Sequence, residues 1–469
     1  MDAVVVWLGG GMPSLTRSEA LTRAARIAVD SMEVDLDLDR GPQHFGSRTT
    51  IRFTCREPGA ETFVDLRAHE VHALSLNGTD VDPASVTDGR LALTGLAQTN
   101  VLEVDATMAY SHDGQGLHRS TDPADGEDYV YGHLFLDAAP TVFACFDQPD
   151  LKAPYTLTVT APTAWTVLGN GAATLLAPGR TALATTQPLA SYFVTVCAGP
   201  WASVRAEHDG IPLGIHARRS LEPHLRDQAQ QMIDVTAACF DEYHRLFGIR
   251  YPFGEYHQVF VPEFNAGAME NPGCVTFRDQ MIFRGAATPD QVFQRSNTIA
   301  HEMAHMWFGD LVTMRWWDDL WLNESFAEWA STTCQAEATA WTDAWTTFGT
   351  HEKDWAYRQD QLSTTHPIVA EIRDLRDVEV NFDGITYAKG ASVLKQLVAH
   401  VGREPFRDGL RAYFAKHAWG NTTLDDLLVE LEATSGRDLR AWSRLWLETA
   451  GVSTLRPVLE VDDRGLIAS

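Results

Sequence analysis

Lysine is nearly missing from this chain: 469 residues carry 37 basic side chains, of which only Lys152, Lys353, Lys389, Lys395 and Lys416 are lysines. Sixty-three acids against those 37 bases leave a net charge of −26. That balance excludes sequence-independent nucleic-acid binding, which needs clustered Lys and Arg facing phosphates, and it disfavours an anionic membrane surface. No apolar run approaches the roughly 18 residues that a bilayer span requires. The six cysteines (Cys55, Cys145, Cys197, Cys239, Cys274 and Cys334) have no CxxC spacing, which argues against a zinc ribbon and for free buried thiols in a reducing, cytoplasmic setting. The opening MDAVVVWLGGGM has no basic n-region, so no secretory signal is expected. Residues 1–12 read as an unstructured extension, with Met12 a second candidate start. Repeats and low-complexity segments are also missing.

What is present is the composition of a soluble globular protein, 45% apolar and 21% charged, long enough for two to four domains at roughly 150 residues each. From about Val34, short runs alternate apolar and polar residues between Asn-Gly and Asp-Gly turn signals, as in EVDLDLDRG, TTIRFTC, VHALSLNGTD and RLALTGL. The alternation continues to YFVTVCAG, ending near Gly199, and predicts an antiparallel β domain over residues 13–202. After Ala202 the period changes. LEPHLRDQAQQMIDVTAACFDEYHRLFG has helical spacing, and further helices are expected at 289–308, 320–338, 387–401, 404–417, 423–434 and 439–449. FGEYHQVFVPEFNAGAMENPG reads as strand, Gly-rich edge and turn. A mainly helical domain over 203–450 is therefore expected. TLRPVLEVDDRGLIAS alternates again, so 451–469 reads as the start of a third β domain cut short, or as a hairpin that pairs with the first.

The chemistry is concentrated in TIAHEMAHMWFGD. On a helix His301 and His305 stand at i and i+4, one face, and can share one zinc ion at roughly 2.0–2.1 Å. Glu302 points beside the metal, where a carboxylate can take a proton from water that the metal acidifies. A hydrolytic zinc needs a third protein ligand, and Glu324 in DLWLNESFAEWAS is the candidate, with 18 residues between it and His305. That spacing lets one helix end, a connector turn, and a second helix pack alongside. Chance produces HExxH in roughly one chain in twenty of this size, and the downstream Glu lowers this below about one in three hundred.

HEMAH, the 18-residue spacing and Glu324, together with GAMEN at Gly267 to Asn271, resemble the aminopeptidase N family of gluzincin metallopeptidases. LVTMRWWDDLWLNESFAEW, FACFDQPDLKAPYTLTV and Tyr387-Ala-Lys-Gly-Ala extend the resemblance over nearly the whole chain. It implies an antiparallel β domain followed by a thermolysin-like, mainly helical zinc metallopeptidase domain, α+β in class. The implied substrates are peptides with a free N-terminus, in peptide catabolism, with no nucleic-acid or membrane partner; the oligomeric state stays open, a monomer being the simplest expectation.

The resemblance also implies roles. Glu270 would hold the α-ammonium group, and Gly267, Ala268 and Met269, with Asn271 behind them, would line the substrate backbone like an added strand. Tyr387 would donate to the developing oxyanion. Lys389 reads as structural, neutralising an acid near the ligands, and Trp316, Trp317 and Trp321 as packing between the two metal-bearing helices. One departure is Gly132-His133-Leu134, where many relatives have Thr-Gln; His133 is expected near the amine or the first side chain, and a protonated imidazole there would repel the ammonium. With Phe264 and Ala266 it leaves room for a medium or large first side chain. Two other readings carry less weight. Epoxide-opening relatives tend to have GGMEN where this chain has Ala268, and a non-catalytic scaffold would usually have lost a ligand or the base.

Overall fold

Alternation becomes strand where one face can be buried. In Ile27–Asp37 the side chains of Met32, Val34 and Leu36 enter the core, and in His44–Cys55 those of Phe45, Ile51 and Phe53 do. Both belong to an eight-stranded sheet in the order 173–177, 180–183, 155–160, 27–37, 44–55, 99–109, 70–76 and 79–81. Every neighbouring pair is antiparallel except one: Ile27–Asp37 and Tyr155–Thr160 run parallel, with Met32 opposite Tyr155. Alternation reports the face a residue takes and not the direction of its neighbour, so this pair was invisible in the sequence. Sheets of four strands (166–169, 196–199, 128–133, 116–121) and three strands (62–65, 90–93, 86–87) complete this part of the computed structural model. The structure describes residues 13–467, and the extension expected over 1–12 lies outside the described residues.

Helix α1 (Arg17–Arg26), unexpected from the sequence, precedes these strands and starts in a capping box between Thr16 and Glu19. Its Arg23 is 1% exposed and bonds Asp65 and Gln148, which pins the helix to the β core.

Residues 202–217 alternate for two more strands before the helices begin. The hairpin of Ala202–His208 and Ile211–Ala217 turns at Asp209-Gly210, both at positive φ, and sits on one side of a five-stranded sheet. Tyr256–Val261 and Cys274–Arg278 follow in parallel, and the two-residue strand Ala268–Met269 forms the far edge. Helices α2 (Glu222–Phe247) and α3 (Pro289–Ala304) pack on this sheet, and α4 (Trp321–Ala338) packs against both helices. Then come α5 (Ala344–Thr350), α6 (Glu352–Asp360), α7 (Leu375–Glu379), α8 (Gly390–Val401), α9 (Arg403–His417), α10 (Leu424–Ser435) and α11 (Arg440–Trp446). The three short helices between residues 344 and 379 carry too little periodicity to be read from sequence. Three expected helices are also shorter than predicted, α11 ending at Trp446 and not near 449. α3 closes at Ala304 because the chain turns through Gly309 at φ +128°, and α8 is preceded by a wide π-type turn, Ile385–Lys389.

Two apolar cores result. One fills the space between the sheets of residues 15–201 and borrows Trp316, Trp317 and Leu320; the other lies among α2, α3, α4 and α8 to α10. The tryptophans of RWWDDLW therefore do not pack together between the metal-bearing helices. Trp317 meets Phe135 and Tyr192 of the β part, Trp316 bonds the Ile372 carbonyl, and only Trp321 joins the helical core. Beyond Gly451 the chain runs over the surface with Leu455, Val458 and Leu459 exposed, and a single bridge, Val461 to Ile467, closes a turn.

Candidate active site

Thr288 and Gln291 cap the start of α3 reciprocally and Pro289 occupies its first turn, so the helix direction is set about three and a half turns before His301. α4 packs alongside. Glu324, in its first turn, places Oε2 3.4 Å from His301 Nε2 and 3.4 Å from His305 Nε2. An ion at about 2.05 Å from three ligand atoms in tetrahedral array holds those atoms about 3.3 Å apart. The two measured edges fit that figure, and the three side chains are all buried.

The far sides of both rings are occupied. His305 Nδ1 donates to the Phe308 carbonyl at 3.0 Å, which fixes a proton on Nδ1 and turns Nε2 toward Glu324, where a metal ion would take the place of the Nε2 proton. His301 Nδ1 meets Glu328 Oε2 at 3.2 Å. Burial works against the Glu324 carboxylate, but His305 and His301 hold it down at about 2. Burial likewise opposes charge on His305, which Glu270 and Glu324 lift to about 9. The three groups thus bind one another as ions.

Glu302 lies beside them. Its Oε2 is buried without a hydrogen-bond partner, and burial pushes the carboxyl up to about 8 against the pull of the histidines. Glu270, 7% exposed, joins Glu302 and His305 in a second group whose ligand atoms lie within 4.8 Å of one another. It stands one residue past the edge strand Ala268–Met269, whose inner side pairs with Thr276 and Phe277. Gly267 at its start is exposed. The Tyr387 ring stacks on His301, centroids 5.9 Å apart at 18°. Burial, with Glu324, Glu270 and Glu302 near, pushes its phenol well above the usual value, so it keeps its proton.

Residues singled out from sequence as ligands, base, amine holder and phenol thus meet at one point. Asn271 does not join them. It is fully buried and its amide faces Thr276 Oγ1 at 3.3 Å, so it braces the turn after the edge strand instead of facing a substrate. His133 is buried against Phe264, ring centroids 4.9 Å apart, with Nδ1 donating to the Gly114 carbonyl at 3.0 Å. Burial pushes it down to about 4, so the imidazole is neutral near pH 7 and does not bring the repulsion that a protonated ring would. Lys389 neutralises no acid of the ligand set; its partner is Asp360 on α6. Sequence reasoning missed Glu328, although its place four residues after Glu324 on one helix face was the available signal. It also missed Lys152, whose Nζ donates to the Asp310 and Leu311 carbonyls just past α3, bringing a β-domain side chain to the metal-bearing helix.

A helix-borne histidine pair and a glutamate from the next helix form a group that could hold a metal ion, with the Glu302 carboxyl beside it. Residues 231–446 match the Peptidase family M1 domain and residues 29–192 the Peptidase M1 N-terminal domain. Aminopeptidase N of Streptomyces lividans is 53% identical over 467 residues, covering 97% of this chain and 54% of that protein. Aminopeptidase 2, mitochondrial, of Saccharomyces cerevisiae is 34% identical over 70% of this chain and 34% of its own length. Tricorn protease-interacting factor F2 of Thermoplasma volcanium is 35% identical over 70% of this chain and 41% of its own. The chain belongs to peptidase family M1, and it spans about half the length, or less, of these relatives.

Two outcomes follow from the site. Glu328→Ala frees His301 Nδ1, and competition with a chromophoric chelator should show metal affinity lowered by about 10- to 100-fold. His133 has a folded pKa below its unfolded value of 6.5, so its contribution is present above pH 6.5 and is lost as pH falls toward 4. Between pH 7.5 and 5 the wild type should lose about 2 kcal/mol more stability in urea titrations than His133→Gln, which does not titrate.

Proposed function

We propose that this protein is a zinc-dependent aminopeptidase that removes N-terminal residues from peptides. The observation that carries the reading is Glu270: a buried carboxylate at the end of an open edge strand, grouped with Glu302 and His305. A peptide laid along Gly267, Ala268 and Met269 as an added strand would bring its α-ammonium to that carboxylate, so only a chain with a free N-terminus fits. The names of the relatives, aminopeptidase N and aminopeptidase 2, support the same reading.

His301, His305 and Glu324 would hold the zinc ion, which supplies a Lewis acid for the first peptide carbonyl and acidifies water. A cation held by these ligands would draw the Glu302 carboxyl down from about 8, so that, with Oε2 free of other partners, it takes the proton of the attacking water and returns it to the leaving amine. Tyr387, protonated and beside His301, donates to the oxyanion. Neutral His133 and Phe264 shape the space for the first side chain without repelling an ammonium group. A cytoplasmic setting in peptide catabolism belongs to the same proposal and is supported by six buried, unpaired thiols. No helix among the described residues is long and apolar enough to cross a membrane. So does the division into residues 13–202 and 203–450, supported by the two separate cores.

The test is hydrolysis of an amino-acid anilide. Chelation should abolish it and zinc restore it, Glu302→Gln should lower kcat by roughly 10²–10⁴, and the N-acetylated substrate should not react. Activity that survives the chelator or Glu302→Gln would falsify the reading.

A further inference from the structure

Tyr387 does not stand on a regular helix. It sits in the middle of the wide turn Ile385–Lys389, where its N–H donates to the Asp383 carbonyl at 3.1 Å and the Lys389 N–H to Gly384 at 2.8 Å. Such a turn has fewer repeating bonds than an α-helix to fix it, so its orientation depends on what grips it. The side toward the metal site is gripped by α4: Ser325, next to the ligand Glu324, donates to the Thr386 carbonyl at 2.5 Å. Gly390 lies so close that a Cβ there would land on the Ser325 hydroxyl.

The opposite side is gripped by α6. Trp355 and Gln359 crowd Gly384, and Gln359 Oε1 accepts the Gly384 N–H. Asp360, 5% exposed, ends the helix and receives Lys389 Nζ, 2.9 Å from Oδ2 and 3.0 Å from Oδ1. Its Oδ1 also accepts Thr365 Oγ1 at 2.8 Å and the Gly451 N–H at 2.9 Å, while Lys389 Nζ reaches the Gly451 carbonyl at 3.4 Å. Residues two apart on a helical turn project to nearly opposite sides. Lys389 therefore anchors the turn from behind while Tyr387 faces His301.

We propose that Asp360 and Lys389 form a positioning pair that holds the turn so that the Tyr387 phenol stays aimed at the metal site, and that ties this aim to the chain at Gly451. The inference rests on the reading of Tyr387 as the oxyanion donor. Neither residue touches the metal ligands or the substrate path. The pair acts through the backbone of five residues, and a donor displaced by about 1 Å can lose roughly 100-fold in rate. A buried pair with every ammonium hydrogen directed resists replacement by a neutral side chain, because removing one partner leaves the other charge unmatched.

The test compares Lys389→Met, Lys389→Arg, Asp360→Asn and the Lys389/Asp360 double variant on an amino-acid anilide, with bound zinc measured in each. Lys389→Met and Asp360→Asn should lower kcat by about 10- to 100-fold with KM within about twofold and zinc unchanged. Lys389→Arg should recover most of kcat, and the double variant should be no worse than the poorer single one, as expected for two members of one unit. A KM that rises as kcat falls, an unchanged kcat, or additive losses overturn the proposal. Amide hydrogen exchange gives a readout free of catalysis: Lys389→Met should deprotect 385–389 while α3 stays protected. If the wild type hydrolyses no anilide, the proposed function fails, and exchange still decides the pair, with unchanged protection counting against it. If Asp360→Asn does not fold, the Met and Arg variants carry the comparison.

Discussion

A single buried carboxylate oxygen, Glu324 Oε2, lies 3.4 Å from two imidazole nitrogens, and the rest of the architecture depends on that contact. Glu270, Glu302, Glu324 and Glu328 are all buried around His301 and His305, so four acids share two bases at low dielectric. Charges buried in that ratio repel one another and lack solvation, and a carboxylate in that position rises in pKa or finds a cation. Glu302 and Glu270 do rise, while Glu324, between the rings, falls. The imbalance is what the proposed reading requires, since a divalent ion and a substrate ammonium would both offset it.

Holding such a site requires rigid elements on every side. α3 and α4 supply the ligands, and the five-stranded sheet ends in the edge strand that brings Glu270. The β domain contributes by contact: its core takes in Trp316 and Trp317 from the connector between the two helices, and Lys152 caps the carbonyls just past α3. On the β-domain side His118 Nε2 and the Tyr131 hydroxyl hold Glu263, four residues before Gly267. Lysine is scarce in this chain, yet two of the five lysines sit at the frame of the site, Lys152 on the backbone after α3 and Lys389 behind Tyr387. A compact ammonium with three donors suits both places, where carbonyls and one carboxylate must be gathered at a point.

The meeting of the proposed ligands, the proposed base and the edge strand was legible because each depends on spacing along the chain: i, i+4 on one helix for His301 and His305, 18 residues between His305 and Glu324, a Gly-rich edge for Glu270. Tyr387 and the role of Glu270 were legible through resemblance alone, since nothing in their spacing fixes them. What could not be read has a common physical cause. The parallel pair of strands, the split of the three tryptophans between two cores, the neutral state of His133 and the Asp360 partner of Lys389 are all set by residues 19 or more positions away, whose approach no local pattern encodes. Asn271 was misread for the opposite reason: the motif is contiguous, but at the end of the strand the turn sends its amide into the sheet toward Thr276.

The central claim is that Glu324 and the two histidines form a three-cornered cradle for one zinc ion. X-ray absorption at the zinc edge on the zinc-loaded protein measures it most directly. The account predicts one zinc per chain with two imidazole nitrogens and a carboxylate oxygen at about 2.0–2.2 Å, and loss of the oxygen shell in Glu324→Ala. Sulfur at about 2.3 Å in the first shell, or a zinc environment unchanged by Glu324→Ala, would contradict it.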